Sequence, residues 1–243
     1  MLGWTRAPAG SFTVIHAPGN VGYARAANLG IAATRADIVS VLNPDTEIGD
    51  GSAAVMVERL TAEPRTAALG PRVENVDGSD YPSARSLPST VDAIGHGIFG
   101  LVWRNNPYTR RYRQLEADPS RPRDVDWVSG CAVWLRRAAL DRVGGWDESY
   151  FLYVEDVDLC WRLRKAGWRV AYEPGARVVH VQGASTSRRP YRMILEHHRS
   201  LWRFARKRYT GVRAVVLPAV AAYLALRTGL AWAEHGMRQR SKS

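Results

Sequence analysis

Residues 145–167, Gly-Trp-Asp-Glu-Ser-Tyr-Phe-Leu-Tyr-Val-Glu-Asp-Val-Asp-Leu-Cys-Trp-Arg-Leu-Arg-Lys-Ala-Gly, crowd five acids into one stretch: Asp147, Glu148, Glu155, Asp156 and Asp158. They flank an apolar, aromatic run over residues 150–154. Carboxylates beside an apolar wall cost free energy unless a partner or a reaction uses them. Leu159, Cys160, Leu163 and Ala166 recur at helical spacing, which predicts a helix from about Asp156 that Gly167 stops. Asp156 then stands at a helix N-terminus, facing the space in front of it. The rest of the chain reads as the frame of that space.

Residues 12–16 read as a strand, Pro18-Gly19-Asn20 as a turn and residues 22–34 as a helix. The turn Gly19-Asn20-Val21-Gly22 is either a backbone N–H cradle for an anion or a packing turn. Ile38-Val39-Ser40-Val41-Leu42 has the apolar, β-branched character of a buried parallel strand. It runs into Asn43-Pro44-Asp45. Ligands of open α/β sheets bind at strand carboxyl ends, so Asp45 is either a site carboxylate or a solvated loop acid. Asp50-Gly51-Ser52 is expected to cap a helix over residues 53–61, and residues 67–73 read as the next strand. Residues 74–126 are loop-rich and carry Tyr81, Arg85, Trp103, Arg104, Tyr108 and Arg110, suiting a lid or acceptor-side surface as well as a solvated face. A strand over residues 125–136 is interrupted by Ser129-Gly130, and a short helix follows over 138–143. Two last strands, 168–172 and 177–181, are separated by a Pro174-Gly175 turn, and the second carries His180. This alternation predicts an α/β fold over residues 1–187, a mostly parallel, Rossmann-like sheet flanked by helices.

The net charge of +11 is local. Residues 188–243 hold 13 Arg and Lys against Glu196 and Glu234, which accounts for the entire excess. The main domain is electrically balanced, so an anionic partner surface is expected to meet the tail. Residues 191–209 place Tyr191, Ile194, Leu195, Leu201, Trp202 and Ala205 on one helical face and arginines on the others, a basic amphipathic helix of the membrane-surface type. Residues 214–226 are nearly all apolar but contain Pro218 and end at Arg227, too short a run to cross roughly 30 Å of hydrocarbon. They read as a helix in the interface, or else as part of a helical pair packed on the main domain. No plain transmembrane helix and no signal peptide is indicated, and Cys131 and Cys160 read as small buried hydrophobes rather than a disulfide framework. Cytosolic residence is the expectation. No nucleic-acid motif accompanies the arginines, so nucleic acid is not the expected partner.

Asp45, Asp156 and His180 each fall at an element end. An Asp and a His together with a diphosphate suit Mg²⁺ or Mn²⁺, and a separate carboxylate can then serve as general base. The blocks Asn20-Val-Gly-Tyr-Ala-Arg-Ala-Ala-Asn28-Leu-Gly30, Leu42-Asn-Pro-Asp45-Thr, Gly144-Gly-Trp-Asp-Glu148 with Phe151, and Glu155-Asp-Val-Asp-Leu159 with Arg162 resemble glycosyltransferase family 2, the GT-A fold. Asp77-Gly-Ser-Asp-Tyr-Pro-Ser-Ala-Arg85, Asn106-Pro107, Tyr112-Arg-Gln114 and Trp127-Val-Ser-Gly130 are similar to its actinobacterial rhamnosyltransferase branch, which acts on polyprenyl-diphosphate-linked N-acetylglucosamine in cell-wall linker synthesis.

The resemblance implies an inverting transfer. Asp156 matches the base, Asp45 and His180 the metal ligands, and Asn20, Gly22, Asn28 and Asn43 the donor-binding positions. Trp146, Asp147 and Glu155 line the acceptor side. It also implies dTDP-L-rhamnose as donor, a lipid-linked acceptor, a divalent cation and a peripheral position on the inner membrane face. The family opens with a strand–helix–strand unit that holds the nucleoside base, and this sequence starts after it. A truncated, non-catalytic membrane- or partner-binding remnant, or a family 2 transferase with another nucleotide-sugar donor, are the alternative expectations.

Overall fold

The computed structural model describes residues 13–87, 103, 106–114, 117–181 and 190–240. Phe12, Arg104, Arg188, Arg189 and the exit from the domain over 183–186 lie outside the described residues. The chain begins with helix α1 (Tyr23–Ala32), strands β1 (Ile38–Leu42) and β2 (Thr46–Ile48), and helix α2 (Ser52–Ala62). Strands β3 (Thr66–Glu74), β4 (Asp80–Tyr81) and β5 (Ala84–Arg85) follow, then α3 (Pro107–Arg113), β6 (Arg123–Asp124), β7 (Trp127–Val128) and β8 (Ala132–Arg136). Helices α4 (Arg137–Val143) and α5 (Glu155–Lys165), strand β9 (Arg169–His180), α6 (Pro190–Arg208), a 3₁₀ turn (Gly211–Val216) and α7 (Leu217–Arg240) complete it.

Strands β3, β8 and β9 alternate their side chains between two buried faces. Ala68, Leu135 and Val170 point to one face, where Ala24, Leu140, Leu159 and Leu163 from α1, α4 and α5 cover them. Leu69, Trp134 and Ala171 point to the other, under Met56 and Leu60 of α2. Helices on both sheet faces bear out the expected α/β class.

The pairing differs from the expected mostly parallel sheet. The order is β1-β8-β3-β9-β2, and along it only β3 and β9 run parallel. Continuous apolar strands report burial on both faces, not strand direction, and β8 runs against both of its neighbours. The strand expected from residue 12 is not formed over 13–16, where Val14 and Ile15 are exposed and no neighbouring strand offers ladder bonds among the described residues. The expected turn at Pro174-Gly175 is a bulge inside one strand. Partners of β3 jump from Pro71↔Glu173 to Arg72↔Arg177, and Glu173 accepts the Gly175 amide at 2.9 Å. Ser52 does not cap α2 with its side chain; its hydroxyl accepts the Arg177 amide at 2.9 Å.

The basic tail is held to the sheet domain by α6. Phe204 and Leu201 pack on Tyr150 and Val154, and the Ser200 hydroxyl donates to the Leu152 carbonyl at 3.0 Å. Lys207 reaches Asp147 and the fully buried Asp158, so part of the charge excess is consumed internally. Helix α7 folds back on α6, with a Thr228–His198 hydrogen bond of 2.8 Å and an edge-on Tyr191–Trp232 pair. The apolar run does not stop at 226. Gly211–Trp232 is a 22-residue stretch of mean hydropathy 1.7, long and apolar enough by length and composition to cross a membrane, and 6% of its hydropathic window is buried. Pro218 falls in the first turn of α7, where its missing N–H removes no helical bond.

Gly22 precedes α1 at φ +84°, and a Cβ there would run into the Phe151 carbonyl. Gly22→Ala is expected to lower the unfolding free energy by about 2 kcal/mol through strain and the clash. Urea denaturation checks this, with a lower midpoint and unchanged slope expected; an unshifted midpoint contradicts the close approach.

Candidate active site

The turn after β1 builds one half of the site. Asn43 donates its amide to the Cys131 carbonyl at 2.8 Å, and the Thr46 hydroxyl donates to the Asn43 carbonyl at 2.6 Å. Thr46 stands opposite His180 in the β2–β9 ladder, and the Val181 amide donates to the Asp45 carbonyl. The two side chains meet, with Asp45 Oδ1 and His180 Nε2 3.1 Å apart and Asn43 Nδ2 3.5 Å from the same nitrogen. The Tyr81 ring stands edge-on to His180. A carboxylate oxygen and an imidazole nitrogen at this spacing fit neighbouring corners of one octahedral ion with bonds of about 2.1 Å. Nδ1 of His180 is buried without a partner among the described residues. Among the described residues no cluster of three or more His, Cys, Asp or Glu forms there, so two protein ligands would leave the remaining corners to phosphate oxygens and water.

The other half is Asp156. Its Oδ2 accepts the Gly130 amide at 2.9 Å and its Oδ1 accepts the Val157 amide at 2.8 Å. Tyr23 donates its hydroxyl to the Gly130 carbonyl. Cys131, the next residue, accepts from Asn43, so two consecutive residues tie the Asp45–His180 turn to Asp156. Burial raises the Asp156 carboxyl, while the two backbone amides and then Arg85 oppose the shift. The Arg85 guanidinium lies over the rings of Trp127, at 4.9 Å, and Tyr81, at 5.6 Å. Tyr81 and Arg85 therefore span the gap between the Asp45–His180 pair and the Asp156 carboxylate. A carboxylate kept short of water but held by amides is suited to take a proton.

Tyr153 and Val154, both at φ +69°, turn the chain into α5. That conformation is unfavourable for a β-branched residue. It delivers Glu155, Asp156 and Asp158 to the first turn, where the helix dipole favours negative charge. Asp158 is paired with Arg162 at 2.7 Å and with Lys207. Glu155 is 6% exposed, its Oε2 has no partner among the described residues, and burial, then Asp156, pushes its carboxyl up to about 8.

The other expected site residues have structural contacts. Asn28 donates to the Trp146 carbonyl at 2.9 Å and Glu148 at 3.0 Å, and accepts the Trp146 amide at 3.0 Å, clamping α1 to the Gly145-Trp146 turn. Asn20 accepts the Gly22 amide, so one N–H of the Gly19–Gly22 turn is already used, and Phe151 accepts the amide of Tyr23, the next residue. Trp146 is 2% exposed and packs edge-on against Tyr23, and Asp147 pairs with Lys207, which holds it near 2 despite burial. These five residues support the wall from behind and are not drawn into the Asp45–His180–Asp156 group. Tyr23, Tyr81 and Arg85 are drawn in. The Asp77–Arg85 block carried a signal for the last two; Tyr23 lies inside the Asn20–Gly30 block, which assigned it no role.

The family described as "Glycosyltransferase like family 2" matches residues 5–223. Over 195 residues the chain is 44% identical to the N-acetylglucosaminyl-diphospho-decaprenol L-rhamnosyltransferase of Mycobacterium tuberculosis, covering 80% of this chain and 63% of that protein. It is 34% identical over 169 residues to the pre-mycofactocin glycosyltransferase of the same organism, covering 69% of this chain and 32% of that one. A mannosyltransferase from Pyrobaculum calidifontis, solved with GDP-Man and Mn²⁺, overlays with a TM-score of 0.48 at 18% identity, over 86% of this chain and 51% of that one. The chain spans less than two thirds of the length of these curated relatives. With the matched region covering nearly its whole length, the chain belongs to glycosyltransferase family 2.

Proposed function

We propose that the chain is an inverting, metal-dependent glycosyltransferase that moves L-rhamnose from dTDP-L-rhamnose to N-acetylglucosaminyl-diphospho-polyprenol in cell-wall linker synthesis. One observation carries this reading: Asn43–Cys131 and Gly130–Asp156 contacts hold an Asp–His pair and a desolvated carboxylate on one short backbone segment. The 44% identity to a rhamnosyltransferase supports the donor and acceptor.

In this reading Asp156 removes the acceptor hydroxyl proton as that oxygen attacks the anomeric carbon. The new C–O bond forms on the face opposite the departing nucleotide diphosphate, whose bond electrons leave with it. Asp45 and His180 would hold Mg²⁺ or Mn²⁺, which supplies compensation for charge developing on the diphosphate. Asn43 steadies the His180 ring. Glu155 faces the acceptor side as a protonated neighbour, so Asp156 carries the negative charge of that pair. Asn20, Gly22, Asn28, Trp146 and Asp147 act through the wall they build. Residues 188–243 form the membrane-contacting unit, on the cytoplasmic face.

Asp156→Asn is expected to lower the transfer rate roughly 10²- to 10⁴-fold while donor affinity changes little. Initial rates and calorimetric titration of dTDP-sugar separate the two, and a retained rate would sink the base assignment. Glu155 gives a second expectation. Its raised carboxyl contributes stability that is complete below its ordinary value of 4.5 and lost as pH rises through about 8. Glu155→Gln should therefore melt with the wild type near pH 4 and above it near pH 8.5. Equal melting temperatures at both would show that Glu155 is not desolvated.

A further inference from the structure

A cavity of about 690 Å³ opens between α6 and the turn after Asp147, lined by Ser149, Glu196, Arg199, Trp202, Arg203, Arg206 and Lys207, so one carboxylate stands among its cations. None of these residues belongs to the Asp45–His180–Asp156 group. Positions 199, 203, 206 and 207 fall on one helical stripe. Two of these four cations are already answered: Lys207 by Asp147 and Asp158, and Arg199 by Glu196 at 3.2 Å. Arg203 lies over the Tyr150 ring, 5.5 Å from its centre. Neither Arg203 nor the exposed Arg206 pairs with a carboxylate among the described residues. Two guanidiniums left over in a concave, indole-edged space favour a forked anionic ligand, and phosphate matches that fork. The volume suits a headgroup rather than a single ion. Directly after α6 comes the apolar stretch Gly211–Trp232, which the protein leaves almost uncovered. An anion in this cavity therefore lies where lipid would begin.

We propose that this cavity binds the phosphate or diphosphate headgroup of a membrane lipid through Arg203 and Arg206, with Trp202 at its edge. The proposal rests on reading α6 and α7 as the membrane-contacting unit. It adds a specific phosphate site to what would otherwise be diffuse attraction between a basic helix and an anionic surface.

The test uses the full chain and four probes: inorganic pyrophosphate, neutral phosphatidylcholine vesicles, and the same vesicles doped with phosphatidylglycerol or with a polyprenyl phosphate. Binding is read by co-sedimentation and by the tryptophan signal that Trp202→Phe removes. Wild type is expected to bind pyrophosphate and at least one doped vesicle; the stronger doped arm identifies the lipid. Arg203→Gln/Arg206→Gln should weaken both at least tenfold, and the charge-matched Arg35→Gln/Arg65→Gln, exposed and outside α6 and α7, less than twofold. If the double variant misfolds, Arg206→Gln alone should still weaken pyrophosphate binding about threefold or more. Equal losses in the two double variants, or no pyrophosphate binding by wild type, overturn the site. No sugar donor is present, so failure of rhamnosyl transfer and failure of this site are separate results.

Discussion

Three carboxylates, Glu155, Asp156 and Asp158, lie within four residues at the start of one helix, and the fold buries Glu155 and Asp158, half-buries Asp156 and answers each by different means. Asp158 is matched by two cations, one from its own helix and one from α6. Asp156 is matched by backbone amides, which stabilise its charge without neutralising it. Glu155 keeps a buried Oε2 without a partner among the described residues, and burial, then Asp156, pushes its carboxyl up to about 8. The dipole of α5 helps all three, but by roughly 1 kcal/mol or less, so the individual partners decide. One helix end thus holds an ion-paired acid, an amide-held acid and a buried acid with a raised carboxyl.

The cost of that arrangement appears in the backbone. Tyr153 and Val154 both adopt the left-handed region to enter α5. Helix α6 braces this strained segment, through Ser200 on the Leu152 carbonyl and Phe204 against Val154. The same helix leads into the apolar stretch Gly211–Trp232, little of which is buried. Asp156, the proposed base, and the proposed membrane contact therefore share one mechanical support.

Much of this was legible in the residues. The acids beside an apolar wall, the Asp45 turn at a strand end and His180 at the end of β9 were readable because each follows from local pattern. What was not readable depends on distant partners. Asn28 finds Trp146 across 118 residues, and Asp147 finds Lys207 across 60. The resemblance marks both as site residues, and each makes a structural contact with a distant part of the chain. Pro174-Gly175 reads as a turn until β3 supplies a neighbour on both sides of it, which makes it a bulge. Arg227 reads as the end of an apolar run, yet the helix continues through it. Strand direction escaped because two-sided burial gives the same apolar runs whichever way a neighbour points.

The central claim is that the Asp45–His180 pair and Asp156 form one metal-dependent transfer site. The most direct measurement is transfer of labelled rhamnose from dTDP-L-rhamnose to N-acetylglucosaminyl-diphospho-polyprenol by the full chain, with Mn²⁺ and again after chelation. The account predicts product with the metal, none after chelation, and recovery when Mn²⁺ is restored. Product that forms equally well in chelator, or no product under any metal, would contradict it.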